Sequence, residues 1–258
     1  MDLELRGKSV FVAGSSRGIG HAIAAGFLAE GARVAISGRD PEALKQTETS
    51  LRAAFPTATL LSIAGDLTDE THCAAAIAAI LREWKALDIL VANIGSGRGH
   101  AGWSYDAQDW AALYDINLFG SVRLVSAALS SMLPVRSGAI ILVSSITGVE
   151  STPAPLAYGS AKAALLNYAK NLARQVAAEG VRVNAIAPGN VLFPGGSWEK
   201  HIVGDPGRVE SYIQTEVPMG RFGTPAEIAD AVLFLSSARA AFITGACLVA
   251  DGGQTRSL

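Results

Sequence analysis

The chain has 258 residues, half of them hydrophobic and 17% charged, with 27 Gly and 10 Pro. It is long enough to bury a sizeable core as one α/β domain, and too apolar for a disordered chain. With 21 Lys+Arg against 23 Asp+Glu and a formal net charge of −2, it has no long-range pull on nucleic acid or an anionic membrane, so small-molecule partners are expected.

Short β-rich apolar runs alternate with longer helical patterns. The first run, 9–13, leads through a glycine-rich stretch into a helical pattern over 19–30. A second run, 33–37, precedes a helix over 41–54, whose start is marked by Asp40 as N-cap before Pro41. Runs at 59–64 and 89–92 bracket a helix over 70–84, and a long helical pattern covers 110–132. Runs at 139–143 and 182–187 bracket a helix over 158–178. A final helix over 225–236 opens with Thr224 and Glu227 as a capping box, before a last run at 247–250. The runs are continuously apolar rather than alternating, so both faces of each strand are covered, as in a parallel sheet flanked by helices. The fold class expected is a single-domain, doubly wound α/β sheet. The one long irregular stretch, 189 to about 205, is rich in Gly and Pro, and a substrate loop is placed at about 189–216.

The turn after the first run reads Gly14-Ser15-Ser16-Arg17-Gly18-Ile19-Gly20. A glycine-rich strand-to-helix turn lets backbone approach a pyrophosphate and aims unpaired helix N–H groups at it. The spacing is G-x-x-x-G-x-G rather than the commoner G-x-G-x-x-G, so position carries the assignment more than the pattern does. At the end of the second run a ribose-reading group is expected. Asp40 is committed as a helix cap, which leaves Gly38 and Arg39. Gly38 has no carboxylate to repel a 2′-phosphate, and Arg39 and Arg17 can pair with one, so NADP is favoured over NAD.

Tyr158 and Lys162 are four residues apart in a helical pattern and so project from one face. An ammonium beside a phenol lowers the phenol pKa by about 1 to 3 units, which suits proton exchange with a carbonyl or alcohol oxygen. Ser145 closes the run at 139–143, at the edge where doubly wound folds place ligands. Asn117 lies among apolar neighbours in a helical stretch where its propensity is poor; an internal network and a surface position are both open.

Assembled, these residues resemble the short-chain dehydrogenase/reductase family over nearly the whole chain, which implies a Rossmann-type fold. The stretch from Gly14 to Gly20 resembles its glycine motif, including Ser16, Arg17, Gly18 and Ile19. Asp66-Leu67 resembles its adenine-reading pair, Ala92-Asn93-Ile94-Gly95 its strand-four signature, and Pro188-Gly189 its nicotinamide-contacting segment. Asn117, Ser145, Tyr158 and Lys162 match its catalytic tetrad. The segments from Gly220 to Gly223 and from Asp251 to Gly253 are similar to members related to 3-oxoacyl-carrier-protein reductases. The resemblance implies hydride transfer between a nicotinamide and a carbinol or carbonyl carbon. Tyr158 moves the proton, Lys162 also binds the nicotinamide ribose, Ser145 polarises the oxygen, and Asn117 holds Lys162 through a water.

Ala13, Ile94 and Phe193 depart from the family pattern. Phe193 stands where Thr or Ser often faces the carboxamide, a contact that backbone at Val191 can replace. His100 and Trp103 in the loop 97–103, with Phe193, Trp198 and His201, either line a semi-aromatic pocket for a cyclic or sugar-like substrate or anchor their loops. Ala161, Ala163, Ala164, Ala169, Ala173, Ala177 and Ala178 allow close helix approach, and the resemblance implies a homotetramer built on that helix. Cys73 and Cys247 show no metal-ligand spacing, so no metal site and no disulfide framework are expected. The N-terminus opens on Asp2, Glu4, Arg6 and Lys8 without a signal-peptide apolar region, and 183–198, the longest stretch without acids or bases, carries Pro188 and Pro194. A cytoplasmic, membrane-free enzyme is the expectation; a non-catalytic NADP(H)-binding sensor on the same fold is the competing reading.

Overall fold

All five residues of Ser9–Ala13 are buried in strand β1, as a run apolar on both faces requires. The computed structural model describes every residue except Arg98, Ala101 and Leu258, so those two positions of the loop 97–103 lie outside the described residues. Among the described residues the other strands are β2 (Arg33–Gly38), β3 (Leu60–Ala64), β4 (Ile89–Ala92), β5 (Gly138–Val143), β6 (Val181–Pro188) and β7 (Cys247–Ala250). All pair in parallel, in the order β3-β2-β1-β4-β5-β6-β7. This is the doubly wound architecture expected.

Alternate side chains of each strand enter opposite layers. Val10, Val12, Ile141 and Val143 pack against α1 (Gly18–Ala29), α2 (Pro41–Ala54) and, later in the chain, the helix Pro225–Ser236. Phe11, Ala13, Ile140 and Leu142 pack against α3 (Glu70–Trp84) and the helices Gly120–Val135 and Leu156–Val176. Each fully buried Ile, Leu or Phe contributes about 1.5–3 kcal/mol before entropy is counted, so burial on two faces fixes this layering. The caps fall where the sequence marks them. Asp40 accepts from the N–H groups of Glu42 and Ala43, and Thr224 and Glu227 form the capping box.

The expected helix over 110–132 is three pieces. α4 (Ala107–Tyr114) starts at a capping box between Asp106 and Asp109, a π-helical turn follows over Asp115–Phe119, and α5 (Gly120–Val135) completes the run. Asn117 sits within this turn, and its Nδ2 donates to the Leu113 carbonyl four residues back. By length and composition the run 107–135 could cross a membrane, yet Leu124, Val125, Ala128 and Met132 are wholly buried against the sheet. Along α6 (Leu156–Val176) Ala161, Ala169 and Ala173 are buried, while Ala163 and, just beyond the helix, Ala177 and Ala178 are exposed.

The stretch read as irregular is largely helical. α7 (Ser197–Gly204) and α8 (Pro206–Glu216) stand beyond β6, followed by α9 (Pro225–Ser236). Asp205 caps α8 by accepting from the Arg208 N–H, with Pro206 first in the helix. That is the signal that marks α2, and it was legible in the sequence. Val209, Val217 and Phe222 form a small separate core here with Trp198 and Tyr212, so the segment is a folded lid over the sheet edge.

Candidate active site

The chain runs outward from β1 through β2 to β3, then returns to β4 on the other side of β1. Connections therefore leave β1 and β4 in opposite directions and open a crevice at their carboxyl ends. Asn93 braces this crevice, its Nδ2 donating to the Gly14 carbonyl at 2.9 Å. Gly14 has φ +64, and a Cβ there would lie 2.3 Å from the Asn93 carbonyl oxygen; a Cβ on Gly20 would lie 2.3 Å from the Gly14 oxygen. Only glycine lets the turn close this tightly. Thr47 of α2 donates to the Ser16 carbonyl at 2.8 Å and fixes the far side of the turn.

A cavity of about 1190 Å³ follows this edge, larger than the roughly 300–1,000 Å³ usual for one small ligand. One end is walled by Gly14, Ser16, Arg17, Ile19, Gly38 and Arg39. Arg17, the N-cap of α1, makes no side-chain cap, which leaves the first N–H groups of the helix open to an anion. Arg17 and Arg39 are exposed at the rim, and Arg17 also donates to the Gly195 carbonyl at 3.3 Å, tying the lid to the turn. Asp66 and Leu67 line the next part of the wall, where Asp66 Oδ1 accepts from Thr68 backbone and hydroxyl at 3.0 and 2.9 Å. An open helix N-terminus with Arg17 at its cap, a glycine cradle, and Arg39 at the end of β2 fit a dinucleotide with a 2′-phosphate.

Toward the other end the wall is formed by Asn93, Gly95, Ser145, Tyr158 and Lys162, with Pro188, Gly189 and Val191 opposite. Lys162 is 4% exposed, and its Nζ donates to the Val143 carbonyl at 2.9 Å. Close approach of the turn Ile146–Gly148 sets this depth: a Cβ on Gly148 would lie 2.6 Å from the Lys162 carbonyl carbon. Ser145 Oγ accepts from the Thr147 N–H at 3.2 Å, and Ser144 Oγ donates to the Lys162 carbonyl at 3.0 Å. Asn117 is fully buried in a network: Oδ1 accepts from the Ser96 N–H at 2.8 Å, and Nδ2 also donates to the Ser96 carbonyl at 3.1 Å. Gly95 separates it from Lys162. A Cβ on Gly95 would lie 2.9 Å from Asn117 Oδ1 and 3.0 Å from Lys162 Nζ.

The electrostatics correct one expectation. Burial pushes the Tyr158 phenol above its usual value, and the Ser145 hydroxyl beside it offsets only part of that. Lys162 Nζ lies 5.9 Å from the Tyr158 ring centre and donates to Val143, and burial lowers its own pKa to about 8, so it stays mostly protonated at neutral pH.

Two of the expected pocket aromatics stand elsewhere. Trp103 is 85% exposed, and His100 stacks on Tyr105 at 3.9 Å with its Nε2 3.3 Å from Asp109. Phe193, Trp198 and His201 do line the cavity. Phe193 lies flat on the glycine turn, so that a Cβ on Gly18 would meet its ring at 2.6 Å. The sequence reading missed Asn190 and Tyr212, which join the wall from the loop after β6 and from α8. The Asp205-Pro206 cap placed Tyr212 on a helix, but nothing in the sequence turned that helix over the site.

A doubly wound sheet carrying this crevice defines the class of dinucleotide-binding oxidoreductases. A family model described as enoyl-(acyl carrier protein) reductase matches residues 13–255. A 3-oxoacyl-(acyl-carrier-protein) reductase of Chlamydia muridarum is 35% identical over 255 residues, covering 98% of this chain and all of the relative. A 2-(S)-hydroxypropyl-CoM dehydrogenase of Xanthobacter autotrophicus is 33% identical over 99% of both chains. The crystal structure of L-sorbose reductase from Gluconobacter frateurii, complexed with NADPH and L-sorbose, superposes with a TM-score of 0.93 at 32% identity, covering all of both chains. The chain belongs to the short-chain dehydrogenase/reductase family.

Proposed function

We propose that this protein is an NADP(H)-dependent oxidoreductase that interconverts a ketone and a secondary alcohol, with Tyr158 moving the proton. The observation that carries the reading is the meeting of Ser145, Tyr158 and Lys162 in one cavity whose other end is the glycine turn with Arg17 and Arg39. NADPH, when bound, supplies the hydride. Ser145 donates a hydrogen bond to the substrate oxygen and orients the carbonyl. Because burial holds the phenol above its usual pKa, Tyr158 is protonated at neutral pH and stands ready to give its proton to that oxygen. The resting protonation state thus serves reduction. Lys162, anchored on Val143, holds positive charge at the floor of the cavity, and Gly95 keeps room between it and Asn117.

NADP over NAD rests on Gly38, Arg39 and Arg17, and is supported by the NADPH held by the sorbose reductase of the same fold. Cytoplasmic action and a homotetramer belong to the same reading. Cys73 and Cys247 are both unpaired, and Phe119 stands 45% exposed beside α5 with Arg123 over its ring. The experiment is a panel of ketones followed by loss of NADPH absorbance, with Tyr158→Phe as the control. NADPH binding without turnover of any ketone would return the protein to the class of cofactor-binding sensors.

A further inference from the structure

The flanks of the reaction site carry polar groups that moving a hydride and a proton does not need. Asn190 is held at three points: its N–H donates to Gln254 Oε1 at 2.8 Å, its carbonyl accepts from the Gly223 N–H at 2.9 Å, and Nδ2 donates to the Tyr212 hydroxyl at 3.0 Å. The Tyr212 oxygen is therefore an acceptor in this pair, and its own proton is left to donate. Trp198 stacks on the Tyr212 ring at 5.1 Å and 29°, and fixes the direction of the phenol. Both members of the pair line the cavity that holds Ser145 and Tyr158.

Thr147 and Thr152 belong to the same cavity wall, but their unpaired hydroxyl oxygens are shut off from it, so they are not offered to a ligand. A plain alkyl or acyl chain would leave the Tyr212 proton without an acceptor.

We infer that the substrate is a hydroxylated ketone, one hydroxyl of which is read by Tyr212, held in place by Asn190. This rests on the ketone-reductase reading of the site. Small matched pairs test it: hydroxyacetone against butanone, and 2-hydroxycyclohexanone against cyclohexanone, each with NADPH. The wild type should prefer the hydroxylated member by about 100-fold in kcat/KM, since sites built around a substrate hydroxyl discriminate at least this strongly. Tyr212→Phe keeps the ring and its stacking. It should cut that preference at least about tenfold, through a rise in KM for the hydroxylated member. Equal kcat/KM for both members of each pair in the wild type, or equal losses on both in Tyr212→Phe, would overturn the inference while the reductase stands. Failure to reduce any member despite NADPH binding would overturn the reductase reading itself.

Discussion

Lys162→Met should make the protein more stable and inactive. The wild-type ammonium is buried with the Val143 carbonyl at 2.9 Å as its hydrogen-bond partner, and burial takes its pKa from 10.5 to about 8. That difference amounts to about 3 kcal/mol against the charged folded form. Methionine keeps most of the stem volume, so no large cavity opens. It forfeits the bond to Val143 and leaves that carbonyl unpaired, at about 1–3 kcal/mol. The balance favours the variant by up to about 2 kcal/mol at pH 7. The unfolded chain holds the lysine proton up to about 10.5, the folded chain only up to about 8. Below about 8 both states are protonated and the full cost stands. Above it the unfolded state binds the extra proton, and wild-type stability rises with pH. Urea unfolding followed by tryptophan fluorescence, at fixed protein concentration, should show the advantage of the variant shrinking by about 2 kcal/mol from pH 7 to 9.5. Cys73, pushed by burial from 9.0 to about 11, acts in the opposite direction above pH 9 but is common to both proteins and cancels in the difference. A gap between the two proteins that stays constant across this range would refute the reasoning.

Tyr158→Phe should lower kcat by about 10²–10⁴-fold with NADPH affinity nearly unchanged, measured by steady-state rates and a binding titration; retention of more than about a tenth of kcat would exclude the proton-transfer role. Alcohol oxidation by the wild type should climb steadily with pH through 9 and beyond while ketone reduction stays level through neutrality, because the phenol of Tyr158 is held above its usual pKa and oxidation needs its ionised form. Gly38→Asp with Arg39→Ala should move cofactor preference toward NADH. The lost arginine contact alone is about 1.5–3 kcal/mol, or roughly 10-fold or more. A Cβ at 38 would sit 3.1 Å from the Ser16 Cβ, so Arg39→Ala alone is the control for fit, and equal wild-type Kd values for NADH and NADPH would show the arginines to be merely solvated. Sedimentation at micromolar protein should find a tetramer, and a lone monomer boundary would rule the assembly out.

Apolar runs with no polar face specify a sheet covered on both sides whatever the details of packing, which is why the sequence by itself determined the doubly wound class, the caps at Asp40 and Thr224, and the glycine turn. These are local properties: each needs only the residues within one strand, one turn or one helix end. The same holds for Tyr158 and Lys162, whose spacing puts them on one helical face. Tertiary structure decided what depends on groups far apart in the chain. The π turn at Asn117 answers to Ser96, and the lid formed by α7 and α8 answers to a small core shared with Phe222. Burial by the surrounding sheet and helices raises the proton affinity of Tyr158, which its spacing from Lys162 could not show. Spacing predicts which charges can meet; desolvation depends on how much of the whole molecule lies between a group and water, and that is a property of the packed fold alone.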